Sequence, residues 1–271
     1  MAIDINALLE DLVAETEVVV AMLAPLEDAS WDLPTPAVGW AIRDQVSHLA
    51  YFDEAALLSL RDPEQFRADA AALSVYGDSF PDEIAKRYRD VAPAKLLAWF
   101  KDARAAMVAS FAGVDARHRL RWYGPDMSAA SSLTARLMET WAHGVDIADT
   151  LEIAVLASNR LRHIAHLGYN TRSFSYSLHD RGVPEVPVRV ELLAPDGSTW
   201  NFGPDGASEV VRASALEFCL VVTQRRNLAD TEIVLSGEAA SEWMHIAQAY
   251  AGAPGPGREA KSSHANKGGP Q

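Results

Sequence analysis

Residues Met138 to Asp149 read METWAHGVDIAD, and whether they are helix or loop decides the fold. The surrounding SSLTARLMETWAHGVDIADTL, from about Ser131 to Leu151, carries apolar residues at helical spacing. On a helix Glu139 and His143, four residues apart beside Trp141, share one face at roughly 6 Å. A carboxylate and an imidazole so placed can share a metal ion or form a buried, mutually satisfied polar pair.

Three further stretches repeat the amphipathic pattern. LLEDLVAETEVVVAML predicts a helix from about Ile5 to Leu26, broken at Pro25. After the proline-rich WDLPTPAVGW, the run IRDQVSHLAYFDEAALLSL predicts a second over about Ile42 to Leu60, stopped by Asp62-Pro63. A third spans about Pro81 to Phe111, divided at Pro93. Four long amphipathic helices imply a bundle. A fifth helical segment, ASNRLRHIAHLGYNTRSFSYSLHDRG, runs to Gly182 and leads out of it.

Beyond Gly182 the period changes from helix to strand. VPVRVELLAPDGSTWNFGP alternates, with Asp196-Gly197 as a hairpin turn. Ala213 to Val222 reads as a short helix, TEIVLSG as a strand and AASEWMHIAQAYAG as a terminal helix. This predicts a small α/β unit over residues 183–252, after a helical unit over residues 1–182. The glycine-, proline- and lysine-rich residues 253–271 predict a disordered tail.

Composition narrows the function. With 49% hydrophobic and 23% charged residues the chain builds an ordinary globular core. A net charge of −13 with no basic stripe argues against nucleic acid as a partner. The opening MAIDINALLEDL carries acids where a secretory leader carries basic residues, and no run reaches membrane-spanning length, so a cytoplasmic protein off the membrane is expected. The lone cysteine, Cys219 in EFCLVV, excludes an intramolecular disulfide and reads as a buried thiol. No phosphate-binding loop, nucleophile elbow or H-E-x-x-H helix occurs, and GAPGPGR, between a helix and the tail, is not a dinucleotide fingerprint.

The second helix echoes the fourth. WAIRDQVSHLA places Asp44 and His48 four apart, next to Trp40. If the two faces meet, His48, Glu139 and His143 supply two imidazoles and a carboxylate, a donor set that in catalytic zinc sites leaves a fourth position open. Asp53 falls about 140° around the helix from His48 and is not a ligand. His163 and His166 share a helix face but lack a carboxylate of comparable spacing.

W-x-x-x-D-x-x-x-H-L over Trp40 to Leu49, followed by E-x-x-x-H-x-x-D over Glu139 to Asp146, resembles the DinB-like superfamily and, more closely, the mycothiol-dependent maleylpyruvate isomerase family. The resemblance implies an α+β protein, a DinB-like four-helix bundle followed by a small sterol-carrier-like α/β domain. It implies that His48, Glu139 and His143 bind a divalent metal, usually zinc, with water or a thiolate completing the shell. Asp44 and Asp146 would then orient an imidazole or a nearby basic group. It further implies that Arg225 or Arg226 helps to bind an anionic substrate or the thiol. VTQRRNLADT and AQAYAGAPGPGR look like a subgroup described only as metal-binding, which leaves the substrate open.

Three functions follow as expectations. The first is a zinc- and mycothiol-dependent isomerase or thiol transferase acting on a small electrophilic, carboxylate-bearing substrate, as a monomer or homodimer. The second is a metal-dependent hydrolase or lyase that activates water without a thiol. The third is a non-catalytic lipid or small-ligand binding protein with a structural metal.

Overall fold

The computed structural model describes residues 4–255 and 257–261. The chain divides into two compact units, Met1–Val155 and Leu156–Gln271.

In the first unit α1 (Ile5–Leu23) is capped by Asp4, whose carboxylate accepts the Asn6 and Ala7 N–H groups. The second helix, α2 (Ile42–Arg61), opens where the Asp44 carboxylate accepts the Ala41 N–H at 2.8 Å. Asp62 ends it and also starts α3 (Pro63–Leu73), accepting the Gln65 N–H with Pro63 in the first turn. The sequence reading took Asp62-Pro63 only as a stop. Next come α4 (Phe80–Arg87) and α5 (Pro93–Phe111), which the 81–111 stretch supplies on either side of a break before Pro93. A two-residue antiparallel ribbon, β1 (Arg119–Leu120) with β2 (Met127–Ser128), then leads into α6 (Ala129–Thr150).

Helix α2 packs on α5 and α6, and α1 on the same two, which closes a four-helix bundle. Val19, Val46, Leu49, Phe100 and Ile147 fill its centre with no exposure. A second, aromatic cluster forms around Phe52 and Phe66, with Phe80, Trp122 and Tyr123 against it. The turn of the β1–β2 ribbon delivers the last two of these rings.

The second unit begins at α7 (Leu161–Asn170) and α8 (Arg172–Leu178). The boundary expected near Gly182 thus falls about one helical hairpin earlier, at Val155/Leu156. The cause is packing: Leu161, Ile164 and Ala165 are buried, α7 lies on α9 (Ala215–Val222), and Cys219 Sγ donates to the Leu161 carbonyl at 3.5 Å. Cys219 is fully buried, and burial pushes its thiol well above the ordinary value.

Strands β3 (Val188–Leu193), β4 (Thr199–Phe202), β5 (Glu209–Ser214) and β6 (Val234–Ser236) form one sheet in the order β4-β3-β5-β6. Only the β3–β5 pair is parallel. Val188, Val190 and Leu192 point to the buried side of β3, where α7, α9 and α10 (Glu238–Ile246) meet the sheet. Arg189 and Glu191 alternate onto the other side and pair with each other and with Arg212.

Strand β5 was absent from the sequence reading, which began a helix at Ala213. Ser214 instead caps α9 by accepting the Glu217 N–H, so the two residues before it finish a strand. The terminal helix is shorter than expected and stops at Ile246. Its continuation is held by the Ala249 N–H on the Val222 carbonyl and the Gln248 N–H on Ser175. Part of the expected tail is also held: Asn227 donates to the Arg258 carbonyl, and the Lys261 N–H reaches the Asp230 carboxylate. Residues 256 and 262–271 of that expectation lie outside the described residues.

Candidate metal centre

Helices α2 and α6 bring His48, Glu139 and His143 together inside the bundle. One donor atom from each lies within 4.8 Å of the others, and among the described residues no other three histidine, cysteine or acidic side chains do so. Glu139 Oε2 is 3.0 Å from His143 Nε2 and 3.5 Å from His48 Nε2. His163 and His166 form no such group.

The hydrogen bonds beside His143 fix its tautomer. The Thr35 hydroxyl donates to the Trp40 carbonyl at 2.9 Å, so its lone pairs accept the Gln45 amide N–H at 2.8 Å. That orients the amide oxygen of Gln45 toward His143 Nδ1, with which it makes a close contact. Nδ1 therefore carries the proton, and in the neutral ring Nε2 presents a bare lone pair to a carboxylate oxygen. Such a contact is attractive only with a cation between the two atoms, either a proton or a metal ion.

His48 shows the same want of a partner. Both of its ring nitrogens are buried without a hydrogen bond. Burial, and then the neighbouring His143, push its pKa down to about 3. For Glu139 burial works upward, but the adjoining His143 and His48 imidazoles and the Arg136 charge outweigh it and hold the carboxyl well below its ordinary range. A neutral imidazole and an ionised carboxylate are the protonation states that metal coordination requires. The residues therefore fit a divalent ion: three N/O donors, the two histidines largely buried and Glu139 half-buried, with no fourth donor grouped with them among the described residues.

Aromatic rings enclose the donors. Trp40 lies parallel to His143 at 5.8 Å and tilted to His48 at 5.3 Å, and its indole N–H donates to Asp82. Phe52 packs at 4.5 Å from His48.

The acidic neighbours take three different places. Asp44 caps α2 and pairs with Arg89 at 2.9 Å, so the nearby basic group, not an imidazole, is what it orients. Asp146 is buried with Oδ2 4.0 Å from His143 Nδ1, beyond hydrogen-bond length, and Gln45 is the acceptor at that nitrogen. Asp53 is fully buried and pairs with Arg104. Arg225 and Arg226 lie in the second unit just after α9, where the Arg225 N–H turns back onto the Leu220 carbonyl. The Arg225 guanidinium donates to the Thr223 carbonyl and lies over the Tyr250 ring, while Arg226 donates to the Arg225 carbonyl.

Gln45, Thr35, Arg104 and Arg136 escaped the sequence reading. Gln45 was legible in part: three residues before His48 on a helix, it lies near the same face.

Comparison with known proteins places this geometry. Residues 12–148 match the family described as mycothiol maleylpyruvate isomerase N-terminal domain. An uncharacterized protein of Mycobacterium tuberculosis, known from two strains, is 43% identical over 248 residues, covering 92% of this chain and 96% of the relative. Crystal structures of the mycothiol-dependent maleylpyruvate isomerase and of a histidine-to-alanine mutant share the fold at TM-scores of 0.55 and 0.54. Identity to both is 16%, with 82% of this chain and 90% of theirs covered. The matched segment contains α2, most of α6 and all three converging donors, and on that match the chain belongs to the mycothiol maleylpyruvate isomerase family.

Proposed function

We propose that His48, Glu139 and His143 hold one divalent metal, with zinc the best fit, and that the protein is a mycothiol-dependent isomerase or thiol transferase acting on a small electrophilic substrate. The observation that carries the metal is the set of three lone-pair donors that lie within 4.8 Å of one another, with the His48 ring nitrogens sealed without a hydrogen-bond partner. Membership of the family supports the thiol. A bound metal at such a site lowers the pKa of a thiol and offsets negative charge.

The chain's own residues supply the rest. Gln45 holds the His143 proton on Nδ1, keeping Nε2 free as a donor. Trp40 and Phe52 keep water from the histidine rings. In the isomerase reaction the thiolate forms a C–S bond to one carbon of an activated double bond, whose π electrons move onto the activating group. Rotation about the resulting single bond and cleavage of the C–S bond return the thiolate and the other geometric isomer. Anion binding by Arg225 or Arg226 belongs to this proposal and rests on sequence resemblance.

The test is metal content by elemental mass spectrometry for wild type, His48→Ala and His143→Ala, with maleylpyruvate turnover followed with and without mycothiol. About one metal per chain in wild type, lost in both folded variants, with turnover only when mycothiol is present, is the expected result. Wild-type protein that stays metal-free after incubation with zinc, or turnover without any thiol, overturns the reading. Among the described residues no helix is long and apolar enough to cross a membrane.

A further inference from the structure

Two arginines are buried in the bundle, and their surroundings differ. Arg104, on α5 and 3% exposed, sends Nε and Nη2 to the two oxygens of Asp53 at 2.7 and 3.1 Å. Its remaining donors reach the hydroxyls of Thr16 and Thr140. Arg136, on α6 and 4% exposed, makes no hydrogen bond or ion pair through its guanidinium to any described residue. Its Nη1 is sealed from solvent without an acceptor. Its Cζ lies 5.5 Å from the centroid of the Phe52 ring.

A guanidinium does not lose its proton, so a buried one whose donors find no acceptor destabilises the protein that holds it. The charges of Glu139 and Asp53 offset part of that cost, but neither carboxylate accepts a hydrogen bond from the guanidinium. Asp53 is engaged by Arg104, and Glu139 faces the two histidines. Cation–π contact with Phe52 offsets part of the cost and supplies no acceptor for the fork of donors. Position completes the picture. Arg136 lies three residues before Glu139, which puts both on one face of α6. The Phe52 ring over which it sits is the ring that packs on His48, and Trp122 and Tyr123 adjoin it at 6.2 and 5.6 Å.

We infer that Arg136 is the receptor for a carboxylate of the substrate, whose planar body lies against Phe52 and Tyr123 and whose reacting carbon is brought to the three donors one helical turn away. The fork of the guanidinium matches a carboxylate through two parallel hydrogen bonds, and a neutral amide of the same shape could not replace it. The position of the reacting carbon rests on the proposed function above, whereas the carboxylate seat does not.

Maleate and maleamide serve as probes. Binding is measured by calorimetry and by the shift in unfolding temperature, on wild type, Arg136→Met and Arg136→Lys, with metal content measured on the same samples. Maleate is expected to bind wild type and raise its unfolding temperature. Arg136→Met should weaken maleate binding by roughly tenfold or more, as expected for loss of a charge-assisted pair, and should retain the metal content of wild type. Arg136→Lys should recover part of the affinity, and maleamide should not distinguish wild type from Arg136→Met. Without ligand, Arg136→Met should melt at or above the wild-type temperature, because it removes a buried charge whose donors lack an acceptor.

Equal maleate affinity in wild type and Arg136→Met overturns the inference. So does an Arg136→Met protein that fails to fold or melts lower without ligand, since Arg136 would then be structural. If wild type proves metal-free yet its maleate-induced shift is lost in Arg136→Met, the carboxylate seat stands and the metal reading alone fails.

Discussion

The interiors of the two units are built from different materials. Among the described residues, the first unit buries Glu15, Asp44, Asp53, Asp146, Arg104, Arg136 and both histidines of the metal centre, while the second buries Ser175, Thr223 and Gln248 and no charged side chain. The second unit keeps its ion pairs, such as Arg189 with Glu191 and Arg212 with Glu191, on the exposed side of its sheet. Charge in a protein interior is costly unless it is paired or bound to a ligand. The second unit therefore keeps its interior free of this cost, and the first carries it around the proposed metal centre.

The largest test of this contrast is Asp53→Ala. It leaves Arg104 buried without its counter-ion and should lower stability by about 3–5 kcal/mol in urea unfolding. The double change Asp53→Leu with Arg104→Met should recover most of the loss. If the single change costs less than about 1 kcal/mol, as a solvated pair would, the bundle interior is wetter than described and the contrast weakens.

The next test is acid. In metal-free protein His48 titrates near 3 rather than near its unfolded value of 6.5, and Glu139 is also held low. Between those limits the unfolded chain binds protons that the folded one refuses, so stability is full above about pH 6.5 and falls as pH drops toward 3. Urea midpoints of the metal-free protein at pH 7, 5 and 4 should decrease in that order. His48→Phe should flatten the trend, and an unchanged slope in that variant would assign the acid sensitivity elsewhere.

A smaller effect belongs to the second unit. A Cβ on Gly168 would stand 2.7 Å from Val222 Cγ2 across the α7–α9 contact. Gly168→Ala should therefore cost about 1–3 kcal/mol by overpacking while leaving metal stoichiometry unchanged. Loss of metal in that variant would join what the contrast keeps apart. The smallest expected change is that of Gln45→Leu, which removes the acceptor of the His143 proton. Metal affinity should fall about 10- to 100-fold with the helical content intact, as read by metal-competition titration and circular dichroism.

The four bundle helices were legible because each buries one stripe and repeats it over many turns. His48, Glu139 and His143 were legible because an i, i+4 spacing survives any detail of packing. What was not legible depends on register between helices. That Asp53 meets Arg104, or that Gln45 reaches His143 from a different helix, follows from how α2, α5 and α6 slide against one another, and no local pattern encodes it. Asp44 shows the converse: at the start of a helix its competing local role, capping, wins. Strand β5 was hidden because its last residues run directly into a capped helix. The Ser214-x-x-Glu217 box was the signal that could have separated them.

The stacking of Trp40 on the metal centre has an optical consequence. Of the seven tryptophans in the chain, Trp40 is the one whose ring contacts both histidines among the described residues. Its emission thus samples the space between the donors. An open-shell ion such as cobalt(II) or copper(II) held there would quench it, while closed-shell zinc would leave it bright. With an ion held as proposed, the brightness of this built-in lamp would distinguish one metal from another, and Trp40→Phe would turn it off.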